Sequence, residues 1–233
     1  MGATEKRDQL FAHAPAEVLD RDTVRVRHAL LFIQEGKFQN ALSVLSDHHY
    51  KPWEGGAVVR QIFVLANLTN GKAFLAANKP GDAERAFRRA LEYPTNLGVG
   101  KPDRPHNEEP WYWLGIALAA EGNTSGAQDA WQTAVQEGKT AGGVSQVFAA
   151  GALMKLGQGE EGGKLLAGVS GMANRPDASA HSLYVAGLAE QLLNHEPEAQ
   201  NNFRRALELD PLLWQSRFEL DQSVIAAGKS GSR

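Results

Sequence analysis

Two irregular stretches of the chain hold the residues whose types could do chemistry. One reads HHYKPWEGG, from His48 to Gly56, and the other reads PTNLGVGKPDRPHNEE, from Pro94 to Glu109. Imidazole and carboxylate groups can bind metals or move protons, and aromatic and amide side chains can stack on or hydrogen-bond to a sugar. The candidate binding residues of these loops are His49, Trp53, Glu54, Asn96, Lys101, Arg104 and His106.

A metal site is disfavoured by the spacing of these residues. The histidines at 48 and 49 are adjacent, so they would not face the same side of a helix. Glu54 is available as a carboxylate partner, yet the spacing matches no established ligand pattern. The chain has no cysteine, which excludes a Cys-ligated zinc site, an iron–sulfur cluster, a thiol nucleophile and a disulfide scaffold. We therefore predict no metal and no cofactor.

The motifs of common enzyme classes are absent. The sequence contains no GxSxG, HExxH, P-loop or GxGxxG pattern. The run from Gly98 to Lys101 (GVGK) lacks the Ser or Thr that ends a phosphate loop. The pair Glu108-Glu109 is typical of a solvated helix start, where the helix dipole favours acidic groups. We predict no catalytic residue and a protein that is not an enzyme, although glycoside-related chemistry could still lie in the loops.

Composition narrows the classes of partner. The 233 residues include 24 Lys plus Arg and 27 Asp plus Glu, for a net charge of −3, and 42% are hydrophobic. This balance is typical of a globular protein and gives no case for nucleic-acid binding. No apolar run approaches the roughly 20 residues of a membrane span, and the start, MGATEKRDQL, lacks the apolar core of a signal peptide. We predict no membrane partner and a cytoplasmic location.

A repeat shows which elements must position these residues. The hexapeptide FRRALE occurs at Phe87–Glu92 and again 116 positions later, at Phe203–Glu208. Between the two copies runs a series of glycines, each inside an apolar helical stretch, with spacings of 44, 36 and 36. These ladder glycines are Gly71, Gly115, Gly151 and Gly187. The pattern predicts one pair of antiparallel helices per unit, with the glycine where a neighbouring helix approaches closely.

The unit around Gly115 carries a family resemblance. Its first helix reads WYWLG from Trp111 to Gly115, followed by Leu118, Ala127, Trp131 and Ala134. This pattern resembles the tetratricopeptide repeat (TPR). The resemblance implies an all-α fold, a right-handed superhelical solenoid of helix pairs closed by a C-terminal capping helix. We expect an N-terminal segment with a possible helix over 1–22, a single solenoid over 23–227 and a disordered tail over 228–233. The capping helix is predicted near 211–226.

In such a solenoid the first helix of each pair lines the concave face. Aromatic residues recur there at intervals of 36, each three positions before its ladder glycine. The candidate groove residues are Leu68, Lys72, Tyr112, Ile116, Phe148, Tyr184 and Leu188. An aromatic row suits an extended peptide, an amphipathic helix or sugar rings. Plain packing inside the solenoid is an equally simple explanation. With few cations beyond Lys72 and Lys155, the face disfavours a clamp for a terminal carboxylate.

The two loops carry a second resemblance. HHYKPWEGG followed by a long helix, and then ALEYPTNLGVGKP from Ala90 to Pro102, resemble the helical-repeat tail of large bacterial proteins. Those proteins have an N-terminal domain of unknown function with carbohydrate-related β-sandwich regions. The resemblance covers roughly residues 23–140. We favour a scaffold that binds a protein or peptide. The alternative is an accessory domain of a carbohydrate-active protein, which binds sugar or completes the site of another domain of the same polypeptide.

Overall fold

The computed structural model describes residues 3–51, 56–138 and 141–221, and these ranges contain helices and no strand. The prediction of an all-α fold is confirmed. Helices α1 to α12 are Ala3–His13, Ala16–Leu19, Asp22–Gln34, Phe38–Ser46, Gly56–Ala76, Pro80–Ala90, Glu108–Ala120, Thr124–Gly138, Gly143–Lys155, Gly159–Ser170, Ala180–Leu192 and Glu196–Leu209. Helix α13 covers 214–221. Short 3-10 turns cover Thr95–Leu97 and Gly171–Asn174.

The helices from α3 to α12 form five consecutive pairs. Each helix packs on its partner and on the following pair, and the first helices α3, α5, α7, α9 and α11 also pack side by side. The first helices therefore make an inner layer, and the second helices make an outer one. This arrangement confirms the solenoid of helix pairs.

The same backbone turn joins the two helices of every pair. One residue takes a positive φ, and the next amide donates to the carbonyl five residues back, which is the usual helix C-terminal capping pattern. The positive-φ residues are Gly36, Asn78, Gly122, Gly157 and Asn194. Glycine is the usual residue at this position, and two asparagines supply the same conformation in the other two pairs.

The ladder glycines lie where two helices are in contact. A Cβ added at Gly115 would come within 2.3 Å of the Trp131 indole. Equivalent additions would come within 2.3 Å and 2.4 Å of the phenyl rings 16 positions after Gly71 and Gly187. The predicted close approach is therefore present at these three positions. Only glycine leaves room for the aromatic ring of the second helix.

The N-terminal segment contains two short helices. α1 and α2 are separated at Pro15, which cannot donate a backbone hydrogen bond. The Phe11 ring stacks on His28 of α3, with ring centroids 4.2 Å apart. The possible helix within 1–22 thus corresponds to α1 and α2. The tail predicted over 228–233 lies outside the described residues.

The C-terminal helix α13 reaches far beyond the last pair. It begins at 214, after a turn over 210–213 in which the Leu212 amide donates to Asp210. Its Trp214 packs on the buried cluster of the first pairs, and its Phe218 ring lies 6.2 Å from Phe38 of α4. Glu219 pairs with Lys72 of α5. α13 therefore returns from the last pair to contact the first two pairs of the stack.

Candidate functional site: the inner groove

A cavity of about 320 Å³ opens between the inner-layer helices and α13. We call it the inner groove. Its lining includes Lys72 and Leu75 of α5, Trp113 of α7, Phe148 of α9, Leu188, Gln191 and Leu192 of α11, and Glu219 of α13. The cavity volume is within the range of small-ligand and side-chain pockets. The site combines apolar walls with the ammonium group of Lys72.

Lys72 is the electrostatic centre of the groove. Its Nζ lies 3.1 Å from Glu109 Oε1 and 3.1 Å from Glu219 Oε1, and the side chain is only 12% exposed. The ammonium also lies 5.0 Å from the ring centroid of Trp113 and 6.0 Å from that of Phe148. Burial alone would lower the pKa of Lys72, but the two carboxylates outweigh it and raise this pKa above its ordinary value. Lys72 is therefore a fixed positive charge.

Two tyrosines lie buried beside this charge. Tyr112 is 4% exposed, and burial raises its pKa to about 12 although Lys72 opposes the shift. Tyr184 is 8% exposed, and burial, with the negative charges of Glu109 and Glu219, raises its pKa well above the ordinary value. Both phenols are thus neutral at physiological pH and serve as packing groups.

The structure divides the seven predicted groove residues into two sets. Lys72, Phe148 and Leu188 border the groove, but Phe148 and Leu188 are only 1% and 3% exposed. Leu68, Tyr112 and Tyr184 are buried between helices, and Ile116 is half-buried against the core without lining the cavity. Tyr112 occupies the space beside ladder glycine Gly151, where an added Cβ would lie 3.1 Å from its ring. For both tyrosines and for Phe148, this burial favours the packing explanation of the aromatic row.

Sequence reasoning missed three residues of the site. Trp113 was recognised only as part of the repeat motif, although it is the aromatic residue of α7 that faces the groove. Glu109 was assigned to a solvated helix start, and Glu219 was not considered. The sequence signal for Trp113 was its position two residues before ladder glycine Gly115. It directly follows Tyr112, the residue of α7 that was assigned to the groove. The partners of Lys72 had no local signal, because they are 37 and 147 positions away in sequence.

The two irregular loops contact each other. The Asn96 side-chain amide donates to the carbonyls of Leu45 and His48, each at 2.9 Å, and the Tyr50 amide donates to the Asn96 carbonyl at 2.7 Å. Gly98 has a φ of +68° and lies so close that an added Cβ would be 2.5 Å from the Tyr50 carbonyl oxygen. Asn96 therefore ties the loops together, and its amide is already engaged.

The other loop candidates are scattered over the surface. His49, Lys101, Arg104 and His106 are exposed, and His106 Nδ1 lies 3.4 Å from an oxygen of the buried Glu108. Trp53 and Glu54 lie outside the described residues. Within the described ranges, no three His, Asp or Glu side chains are grouped so that they could hold a metal ion.

No family model matches the chain. The chain is similar to the solved structure of YrrB, described as a TPR protein with an unusual peptide-binding site. The match covers 92% of this chain and 96% of that chain, with 16% identity and a TM-score of 0.34. The fold assignment rests on the helix pairs of this chain. In the part of the chain that the structure describes, no helix has the length and apolar character to cross a membrane.

Proposed function

We propose that the chain is a non-enzymatic interaction scaffold whose inner groove binds a peptide segment of a protein partner. The observation that carries the proposal is the groove itself, which combines apolar walls, including the partly exposed Trp113 and Leu192, with the ammonium of Lys72. A mostly apolar pocket with one well-placed polar group is the usual form of a specific binding site. Anchoring of an apolar side chain there fits a peptide.

The charged groups of the groove favour binding over catalysis. Lys72 forms one ion pair with Glu109 and another with Glu219. General acid–base chemistry needs a group that can exchange protons near neutral pH. The ammonium of Lys72 is shifted away from that range, because its pKa is raised further above its ordinary value. The groove therefore supplies a permanent charge, which is balanced by Glu109 and, while α13 is docked, by Glu219.

Peptide selection on the groove tests this proposal. A random library of 16-residue peptides is selected on the full chain, and the selected peptides are titrated against Leu192→Arg and Leu209→Arg. Leu192 lines the groove, while Leu209 is 61% exposed at the end of α12. We expect Leu192→Arg to weaken binding about tenfold or more and Leu209→Arg to leave it unchanged, because an interface core residue dominates affinity.

Two controls make the result decisive. Leu192 also packs on the core, so Gln191→Arg provides a second groove variant, and thermal melting verifies that both variants are folded. The proposal is wrong if no peptide is selected, or if the selected peptides bind the groove variants as tightly as the native chain.

A parallel glycan panel tests the alternative function. Binding of a glycan, lost on changing exposed loop residues such as Arg104 and unaffected by Leu192→Arg, would favour the carbohydrate-associated accessory domain.

A further inference from the structure

We infer that α13 is a built-in occupant of the inner groove, and that the partner segment is an amphipathic helix that replaces α13 and presents a carboxylate to Lys72. This inference rests on the proposed function and names the class of peptide that the groove accepts. It also gives the chain a regulatory state, in which its own helix keeps the groove partly filled.

The contacts of α13 are those of a bound helical peptide. Leu213 and Leu220 pack against the larger core cluster, and Phe218 contacts Phe38 edge to face. Glu219 is 7% exposed and bonds to Lys72 at 3.1 Å, across 147 positions of sequence. An apolar helical face with one buried carboxylate at its centre is the pattern of helix-in-groove recognition. α13 therefore shows what kind of ligand the groove accepts.

The opposite face of α13 is exposed to solvent. Arg217 and Asp221 are exposed, whereas Ser216 and Glu219 are buried. This division between faces is the amphipathic pattern of a helix that docks through one side only. A helix of another protein with the same pattern would fit the same surface.

The fit of α13 leaves room for a better ligand. Ser216 is 0% exposed, and its hydroxyl has no hydrogen-bond partner among the described residues. A buried hydroxyl without a partner opposes docking, and a small apolar residue at that position would remove the penalty. The groove cavity beside α13 is also open. A partner helix with alanine in the place of Ser216 could therefore compete with α13.

Lys72 specifies the acidic residue of the partner. If α13 leaves, Lys72 keeps Glu109 on α7 but loses Glu219. A largely buried ammonium then regains its second carboxylate only from a ligand. This charge complementarity commits the site to a helix with Asp or Glu at its centre.

The experiment compares release of α13 with binding of an added helix. The probe is a labelled synthetic peptide with the sequence of residues 210–226 of this chain. It is titrated against the full native chain and two release variants, Glu219→Lys and Phe218→Ala. Asp221→Lys is the matched control, since it makes the same acid-to-lysine change on the exposed face of α13. Hydrogen exchange of the amides at 214–221 reports whether α13 has left the groove.

We expect faster exchange at 214–221 in both release variants, and peptide binding about tenfold or more tighter than to the native chain. The reason is that docking of α13 reduces the apparent association constant of the probe to its intrinsic value multiplied by the fraction of chains whose groove is open. Asp221→Lys should behave as the native chain does. A probe peptide with Lys in place of the central Glu should bind the Phe218→Ala chain at least about tenfold more weakly than the native probe does.

Each contrary result has a distinct meaning. Equal binding to native chain and release variants would refute self-occupancy and keep the proposed groove function. Failure of the probe to bind a variant whose 214–221 amides exchange freely would refute the helical ligand. The proposed function would then still be judged by the library peptides and their sensitivity to Leu192→Arg. A native dimer that exchanges α13 between copies would overturn the assignment of a different protein as partner.

Discussion

Replacing two helical glycines by alanine should shift stability in opposite directions. At Gly115 an added Cβ would lie 2.3 Å from Trp131 Nε1, far inside the normal contact distance of about 3.5 Å. The indole must move, and its 3.2 Å hydrogen bond to the Tyr112 carbonyl is then strained or lost. At Gly163 in α10, nothing lies within 4 Å of the added carbon. The two sites therefore share the same helix-propensity gain but differ in packing.

The magnitude follows from three contributions. Alanine in a helix interior is favoured over glycine by about 1 kcal/mol at both sites. At Gly115 this gain is opposed by overpacking, about 1–3 kcal/mol, and by the weakened hydrogen bond, about 1 kcal/mol. We expect Gly115→Ala to lower the free energy of unfolding by about 1–3 kcal/mol, and Gly163→Ala to raise it by about 0.5–1 kcal/mol.

Urea unfolding followed by circular dichroism measures both changes. The slope of the free energy with denaturant should stay constant, because the surface exposed on unfolding is unchanged. Stabilisation by Gly115→Ala would refute the close helix approach at the ladder glycines. Equal effects at the two sites would show that propensity alone governs these positions.

Three further predictions concern the loops, the phenols and the buried charge. Asn96→Ala should lower the free energy of unfolding by about 1–3 kcal/mol, because the carbonyls of Leu45 and His48 lose their donor. In the same urea titration, the control His49→Ala, at an exposed residue, should change it by less than about 0.5 kcal/mol. Burial raises the pKa of Tyr112 to about 12, so this phenol costs no stability below pH 10, and stability falls as the pH rises towards 12. In unfolding titrations at pH 9 and pH 12, Tyr112→Phe should reduce that fall in the free energy of unfolding by about 2 kcal/mol. Lys72→Met should destabilise the chain by about 3–5 kcal/mol at pH 7, because it leaves two carboxylates unpaired, while Lys101→Met, on the exposed loop, should have little effect in the same titration.

Features encoded within one helix pair were predictable from sequence. The turns at Gly36, Gly122 and Gly157 follow from the need for a positive φ at a helix end. The contact between Gly115 and Trp131 follows from their spacing of 16, since that interval returns the chain to the same level of the partner helix. Such signals involve short separations and one residue type with a single physical role.

The groove was harder to predict, for a geometric reason. Neighbouring first helices pack side by side, so a position on the nominal inner face can point into the next helix. Tyr112 does so, while Trp113, one residue later, faces the cavity. A difference of one residue is about 100° of rotation on a helix, and sequence periodicity does not fix that angle.

Contacts between distant segments could not be predicted from the repeat pattern. The bond from Asn96 to His48 spans 48 positions, and that from Lys72 to Glu219 spans 147. Neither follows from the period of the repeat, because each joins segments outside the regular spacing of the helix pairs. Asn96 was identified as a candidate binding residue, yet the structure gives it the role of a tie between loops.

The position of α13 has a consequence for how the chain unfolds. An ordinary solenoid behaves as a row of units that interact only with their neighbours, so its ends can unravel one unit at a time. Here α13 contacts the first and second pairs through Phe38 and Lys72. Its Glu219 also borders the inner groove together with Leu188 and Leu192 of the last pair. Because α13 links helix pairs that are far apart in the stack, loss of a terminal pair also removes contacts at the other end. Thermal unfolding should therefore be a single cooperative transition. Removing the contact with Phe38 by Phe218→Ala should broaden this transition or divide it into steps.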